Sequence, residues 1–512
     1  MAILGSILKK TIELKKKLPK LRKASVYKQQ SKVLQKLIQK AEFTAFGEYY
    51  GFSKILNSKD IVKTFRAIVP THDYNSIFQK WWYRTLNGEP YVCWPGHIKY
   101  FALSSGTSEA SSKYIPVTKV MLKAMQKTSV RQILSLAHYN LPKEFFMKGT
   151  LMIGGSTHLN YNGTYFEGDL SGITTGNIPF WFQHFYKPGK RIARERDWNS
   201  KLEEIVKNAS GWDISVVCGV PAWIQILFER IIKHYKVKTI HDIWPNLTVY
   251  VHGGVSFGPY KNAFTKLLAK PLIYKDTYLA SEGFIAYQER PGVESMRMVT
   301  DNGLFYEFVP FTEKNFDDEG NIVSNPETFT INEIEENKEY ALLITTCSGA
   351  WRYLIGDTIK FTSLEHYELV ITGRTKHFLS LCGEHLSQEN MNRAIEMLAD
   401  EMKIEIKEFT VAGINYENMF AHHWYIGTEN KVDEDVIKKK LDENLKKLND
   451  DYRVERIAAL KDVIVQTLPP KVFYAWMKKH GKEGGQTKFP RVLKKERLED
   501  WENYLKQLNL KK

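Results

Sequence analysis

Cysteine is scarce in this sequence: Cys93, Cys218, Cys347 and Cys382 are the four among 512 residues, far apart and without a CxxC pair. Such spacing argues against a disulfide framework and against a cysteine-held zinc site, and it fits a reducing cytoplasm. Long apolar runs are missing too. No stretch approaches the roughly 18 uninterrupted apolar residues a membrane helix needs, so no transmembrane segment is expected. The phosphate loop GxxxxGK[ST] occurs nowhere, which excludes a Walker-type nucleotide site. No fixed-period repeat is present, so a solenoid is not expected.

Acidic residues are nearly absent from the first forty positions. Glu13 stands there against twelve Lys and Arg, a net +11 of the total +15, so the remaining 472 residues carry only about +4. A nucleic-acid-binding body would spread its basic excess, and no nucleic-acid partner is expected. Within this arm Val33, Leu34, Leu37, Ile38 and Ala41 recur at helical spacing while Lys32, Lys36 and Lys40 fall on the other face. Two readings stay open: a solvated helix packed on the main domain, or a contact with a membrane surface or polyanion. Phe43, Phe46, Tyr49, Tyr50 and Phe52 follow and read as core. With 43% hydrophobic and 26% charged residues, the rest has the composition of a globular protein long enough for two domains.

Strand-like runs recur at Ile98–Ala102, Tyr114–Val117, Leu151–Ile153, Ile214–Val217, Leu247–Val251 and Leu342–Ile344, with helical patterns such as Trp223 to His234 between several of them. Alternation of this kind predicts an α/β domain. Thr118 is placed to cap a helix running on through Val130. Beyond about residue 372 the pattern changes to a compact α+β unit, with strands at Phe409–Gly413, His423–Gly427 and Val463–Val465 and a charged helix from Asp433 to Leu448. The expected division is a large domain over 1–372, including a basic helical arm over 1–40, and a small one over 373–512, with the boundary near Thr372-Gly373-Arg374.

Three segments carry candidate chemistry. Ser104-Ser105-Gly106-Thr107-Ser108-Glu109-Ala110-Ser111-Ser112-Lys113 sets six hydroxyls, a glycine and a lysine between two extended runs. Its backbone N–H groups, hydroxyls and cation suit phosphate oxygens, although a Ser-rich surface loop would have the same composition. In the second, Tyr278-Leu279-Ala280-Ser281-Glu282-Gly283, Glu282 is an oxygen ligand suited to Mg²⁺ beside phosphates, or an ordinary surface acid. The preceding Gly253-Gly254 pair permits close approach by a flat base. In the third, Trp351-Arg352-Tyr353-Leu354-Ile355-Gly356-Asp357, the Asp357 carboxylate can accept from ribose hydroxyls, or serve merely as a strand-turn acid.

The order and spacing of these segments resemble the auxin-responsive Gretchen Hagen three family of acyl acid amido synthetases, within the adenylate-forming superfamily. From about residue 40 onward the chain matches its SSGTS loop ending in Lys113, its YxxSE box at Tyr278 to Glu282 and its RYxxGD box at Arg352 to Asp357. The stretch from Gly373-Arg374 to Gly383-Glu384 is similar to the superfamily's hinge, and Gly485 to Arg491 to its C-terminal lysine segment. Glu109-Ala110 replace glycines common in plant members, and Trp351 replaces a tyrosine.

The resemblance implies a large adenylate-forming α/β domain with sheets flanked by helices and a smaller mobile α+β lid. It implies ATP and Mg²⁺, with a carboxylic acid activated as its adenylate and then passed to an amine such as an amino acid. Ser104, Ser105, Gly106, Thr107, Ser108 and Lys113 would hold phosphates, and Gly253, Gly254, Tyr278 and Ser281 would line the nucleotide. Glu282 would bind Mg²⁺ and Asp357 the ribose. Lys488 would charge-stabilise adenylation and then leave as the small domain turns about Arg374. The helix Val120 to Leu136 would line the acyl pocket, where Arg131 would meet a polar group of the acid or stand as a surface arginine. Ile178 to Phe182 reads as a pocket wall or core. His158, His184 and His252 are open as proton acceptors for the amine or as structural histidines. A monomer is expected; an acyl-CoA ligase and a non-catalytic nucleotide-binding protein are the competing readings.

Overall fold

The structure, a computed structural model, describes residues 25–104, 113–254, 257, 260–317, 320–376, 378–379, 381–384, 386–480 and 489–510. These divide into two compact units, the first within Met1–Ser104 and Lys113–Thr375, the second within Lys376–Lys512.

Two sheets build the first unit. The smaller contains β1 (Tyr100–Ser104), β2 (Lys113–Val117), β4 (Asn160–Tyr161) and β5 (Phe166–Gly168) in the order β2-β1-β5-β4. The larger contains β3 (Gly149–Met152), β6 (Tyr186–Lys187), β7 (Ile214–Cys218), β8 (Val249–Gly253), β9 (Ile273–Ala280), β10 (Gly283–Tyr287), β11 (Met296–Met298), β12 (Leu304–Pro310), β13 (Glu339–Thr346), β14 (Tyr353–Ser363) and β15 (Glu368–Arg374). Its order is β12-β13-β14-β15-β11-β10-β9-β8-β7-β3-β6. The half from β6 to β9 is parallel, with the helices Pro221–Tyr235 and Lys261–Leu267 in its crossovers, as strand–helix alternation requires. From β9 to β12 the pairing is antiparallel.

Within the basic arm a helix forms over Val26–Ala41 and buries Leu34, Leu37, Ile38 and Ala41. Ser25 caps its first turn. Gln30 is buried on the same face, where a bare amide would be costly. Its Nε2 donates to the Thr300 and Leu304 carbonyls at 2.8 and 3.0 Å, and its Oε1 accepts from the Tyr306 N–H at 2.8 Å. Phe46 and Phe52 join the core around Trp351, whose ring lies 5.5 Å from Phe46 and 4.8 Å from Phe52. Phe43 and Tyr49, expected beside them, are 74% and 62% exposed. Scattered surface aromatics cost little, so type alone does not assign burial.

In the second unit β18 (Glu408–Tyr416), β19 (Met419–Gly427), β20 (Leu460–Leu468) and β21 (Val492–Leu493) pair in the order β20-β19-β18-β21, with β16 (Phe378–Leu379) and β17 (Leu386–Ser387) forming a separate ribbon. The charged helix spans Glu434–Leu448, capped by Asp433. Phe473, Trp476, Phe489 and Trp501 make a buried aromatic cluster.

Candidate active site

The hydroxyl-rich segment joins the two strands of a hairpin: Ser104 ends β1 and pairs directly with Lys113, which begins β2. Ser105, Gly106, Thr107 and Ser108 lie outside the described residues, as do Glu109 to Ser112. The Lys113 ammonium sits 5.4 Å from the centre of the Tyr74 ring, and its charge acts on Glu282.

Ser281 and Glu282 are the two-residue turn between β9 and β10, closed by the Ala280–Gly283 pair. The Glu282 side chain is buried, and burial raises its pKa above the ordinary carboxylate range. Lys113 and Arg374 oppose that rise, while the Asp357 charge adds to it.

Tyr278 and Asp357 are 79 positions apart, yet the Tyr278 hydroxyl donates to Asp357 Oδ2 at 2.6 Å. In the sheet order β10, β11 and β15 stand between their strands, so the sheet curls enough for side chains on its inner face to meet. Arg374 closes the group from β15, its Nε 2.9 Å from Asp357 Oδ1, the two residues being register partners. Burial disfavours the Arg374 charge, but Asp357, Tyr278 and Glu282 outweigh it and hold the guanidinium protonated. Burial and the neighbouring Asp357 charge push the Tyr278 hydroxyl well above its usual range, so it remains a donor. Tyr278 thus donates to one Asp357 oxygen, and the Arg374 guanidinium stands in ion-pair range of the other. An ionised carboxylate offers about four lone-pair sites, which leaves acceptor capacity for two hydroxyls.

The glycine pair ends β8. Gly253 faces Thr277 in register, and a Cβ there would meet the Thr277 carbonyl oxygen at 2.3 Å; Gly254 has φ +83°. The neighbouring parallel strands finish similarly: β3 runs into Gly154-Gly155 and β7 into Gly219. Glycines therefore line the carboxyl edge of the parallel half, where open α/β sheets take their ligands. Gly154, Gly155 and Gly219 were not among the sequence candidates; the legible signal was a glycine just after each of three apolar runs.

Arg352, within the third box, turns elsewhere. It carries φ 44° and lies buried, its Nη2 2.8 Å from Glu307 Oε1, while Nη1 donates to the Arg66 and Val69 carbonyls. Arg131, on the helix Lys119–Ser135, makes a bidentate ion pair with Asp301, the second contact being 2.6 Å. Its neighbour Gln132 donates to Thr277 Oγ1 at 2.7 Å. Phe180 and Trp181 are 88% and 49% exposed, so Ile178 to Phe182 is not core. His158 and His184 are exposed, whereas His252 is buried at the end of β8.

Lys488 lies outside the described residues, but the chain just after it is fixed. Phe489 is buried, the Pro490 carbonyl accepts from Thr410 Oγ1 at 2.7 Å, and Arg491 pairs with Glu408 at 2.8 Å. Among the described residues no group of three or more His, Cys, Asp or Glu could hold a metal ion, and no helix is long and apolar enough to cross a membrane.

Three domains of one family match in chain order: the GH3 family N-terminal domain at residues 16–202, the central domain at 297–374 and the C-terminal domain at 389–497. A jasmonoyl–L-amino acid synthetase, JAR4 of Nicotiana attenuata, is 23% identical over 450 residues, covering 74% of this chain and 75% of its own. Among solved structures, the GH3.15 acyl acid amido synthetase superposes with a TM-score of 0.59 at 16% identity, over 98% of this chain and 96% of that one. A 2-hydroxyisobutyryl-CoA ligase also reaches 0.59, at 11% identity, over 94% and 91%. At such identity the two structures establish a shared fold.

Proposed function

We infer, from the premise that this chain belongs to the GH3 family, that it is an ATP-dependent acyl acid amido synthetase. A carboxylate is a poor acyl donor because oxide is a poor leaving group; joining it to AMP supplies a good one. In the first step the acid's carboxylate oxygen attacks the α-phosphorus of ATP and pyrophosphate leaves. In the second an amine, an amino acid by analogy with the curated relatives, attacks the acyl carbon and AMP leaves. The single observation that carries this reading is the Tyr278–Asp357–Arg374 cluster with Glu282 beside it, drawn from separate sequence boxes to one face of the large sheet.

The residue roles follow from charge and hydrogen bonding. Asp357, oriented by Tyr278 and Arg374, accepts from the ribose hydroxyls. Gly253 and Gly254 admit the base. Ser104, Lys113 and the loop residues Ser105, Gly106, Thr107 and Ser108 take the phosphates, and Ser281 lies beside Glu282 in the same turn. Lys488 supplies positive charge as the α-phosphate is attacked, and Arg131 with Asp301 borders the acyl pocket. Glu282 would hold Mg²⁺: burial disfavours its charge, and a dication beside this carboxylate would offset that cost. When bound, that ion neutralises phosphate charge. The four thiols, free in the structure, fit a cytoplasmic protein.

The test is acid-dependent exchange of labelled pyrophosphate into ATP across aryl, indolyl and fatty acids, followed by product analysis with amino acids and with CoA. Exchange followed by amide is expected. No exchange with any acid rejects the enzyme reading, and a thioester in place of an amide makes the chain an acyl-CoA ligase.

A further inference from the structure

An amino acid entering the second step as its ammonium must lose a proton before its nitrogen can attack, and one buried group in the first unit is placed to take it. His252 is 6% exposed, and its Nδ1 has no hydrogen-bond partner among the described residues although Asp276 Oδ1 lies 3.4 Å away. Leaving a buried polar atom in this condition costs about 1–3 kcal/mol, so the arrangement calls for an explanation. The two residues are register partners on the parallel strands β8 and β9. The Phe257 ring lies against the imidazole at 4.8 Å and 24°, which fixes its plane.

Strand alternation decides which way this pair looks. Along β9, Lys275 approaches the Tyr139 ring and Thr277 takes Gln132, both on one face. Tyr274, Asp276 and Tyr278 point to the other, and the His252 ring contacts Tyr250 and Tyr274 there at 5.4 and 6.3 Å. His252 and Asp276 therefore share the face of Tyr278 and Asp357, one strand repeat back from Tyr278 and directly before the glycines that admit the base.

We propose that His252 is the base of the amide-forming step and that Asp276 is its positioning residue; this rests on the amido synthetase reading. His252 Nε2 takes a proton from the entering ammonium; the lone pair so freed forms the N–C bond, the acyl C–O bond to phosphate breaks with its electrons leaving on AMP, and the second proton shed by nitrogen passes to solvent. Asp276 holds Nδ1 protonated so that Nε2 is the acceptor, the 3.4 Å gap tightening when substrate is present. From His252 the proton reaches solvent. His158 and His184 are both exposed.

The experiment uses the full chain, ATP, an acid that supports exchange, and two kinds of amine: amino acids, protonated at neutral pH, and hydroxylamine, already neutral there. His252→Gln should keep pyrophosphate exchange within about threefold of wild type and lose amino-acid conjugation by about 100-fold or more, the range a general base supplies. Hydroxamate formation from hydroxylamine should fall by no more than about threefold. Asp276→Asn should lower the turnover of conjugation roughly tenfold with the KM for ATP unchanged. Equal loss with both amines, loss of exchange in parallel, or no loss at all would each overturn the proposal. Absence of exchange in the wild type would instead reject the amido synthetase reading itself.

Discussion

Asp357 is the residue on which the nucleotide cluster turns, because Tyr278 and Arg374 each orient one of its oxygens. Hydrogen bonds to a charged group are worth about 1.5–3 kcal/mol, so Asp357→Asn should raise the KM for ATP roughly 10- to 100-fold in the exchange assay. A loss of folding would mimic that, so the sharper readout is the ratio of ATP to 2′-deoxy-ATP. Wild type should prefer ATP and the variant should not; an unchanged preference would remove Asp357 from the ribose. Tyr278→Phe, which removes the 2.6 Å donor, should weaken ATP use by a smaller factor while keeping the preference. Lys488→Ala should suppress exchange at least 100-fold while ATP binding, followed by calorimetry, changes little; an unaltered exchange rate would refute its role.

At the scale of elements, short-range chemistry was legible and long-range pairing was not. Thr118 before an apolar periodicity announced the cap it makes with the Met121 N–H at 3.0 Å. The hairpin around Ser104 and Lys113 could be read because two extended runs flank one turn. Arg352 could not be placed, since its partner Glu307 is 45 residues away and nothing local separates a nucleotide arginine from a buried structural one. The same distance problem hid the Tyr278–Asp357 bond, and the antiparallel half of the large sheet does not obey the strand–helix alternation that revealed the parallel half. Arg352 ties β14 to β12 and to the carbonyls of Arg66 and Val69, so Arg352→Ala would strand the Glu307 charge in the core. Breaking a buried ion pair costs about 3–5 kcal/mol, a loss that denaturant unfolding would register; a change under about 1 kcal/mol would show that the pair holds nothing.

For the whole molecule, the second unit carries the clearest pH dependence. Glu384 is fully buried; its Oε1 meets His422 Nε2 at 2.8 Å, and it accepts from the Leu381 and Cys382 N–H groups. Burial alone would raise its pKa, but His422 and these donors win and pull it to about 2. A carboxylate depressed from its unfolded value near 4.3 binds fewer protons in the native state than in the unfolded one between those limits. Its contribution, on the order of 3 kcal/mol, is therefore complete above the unfolded value and drains away as pH falls from about 4.5 to 2. Acid titration followed by tryptophan fluorescence should show wild type losing stability over that window, and Glu384→Gln, less stable at pH 7, should lose markedly less there. Equal slopes would mean that another carboxylate governs the acid limb. The opposite end of the chain predicts resistance: residues 1–24 precede the Ser25 cap, so their deletion keeps the Gln30 bonds and the buried face of Val26–Ala41. Exchange activity and melting temperature should survive that deletion. Deletion through residue 41 should abolish both, because it strips Leu34, Leu37 and Ile38 from the core, at about 1.5–3 kcal/mol each, and leaves the Tyr306 N–H without its acceptor.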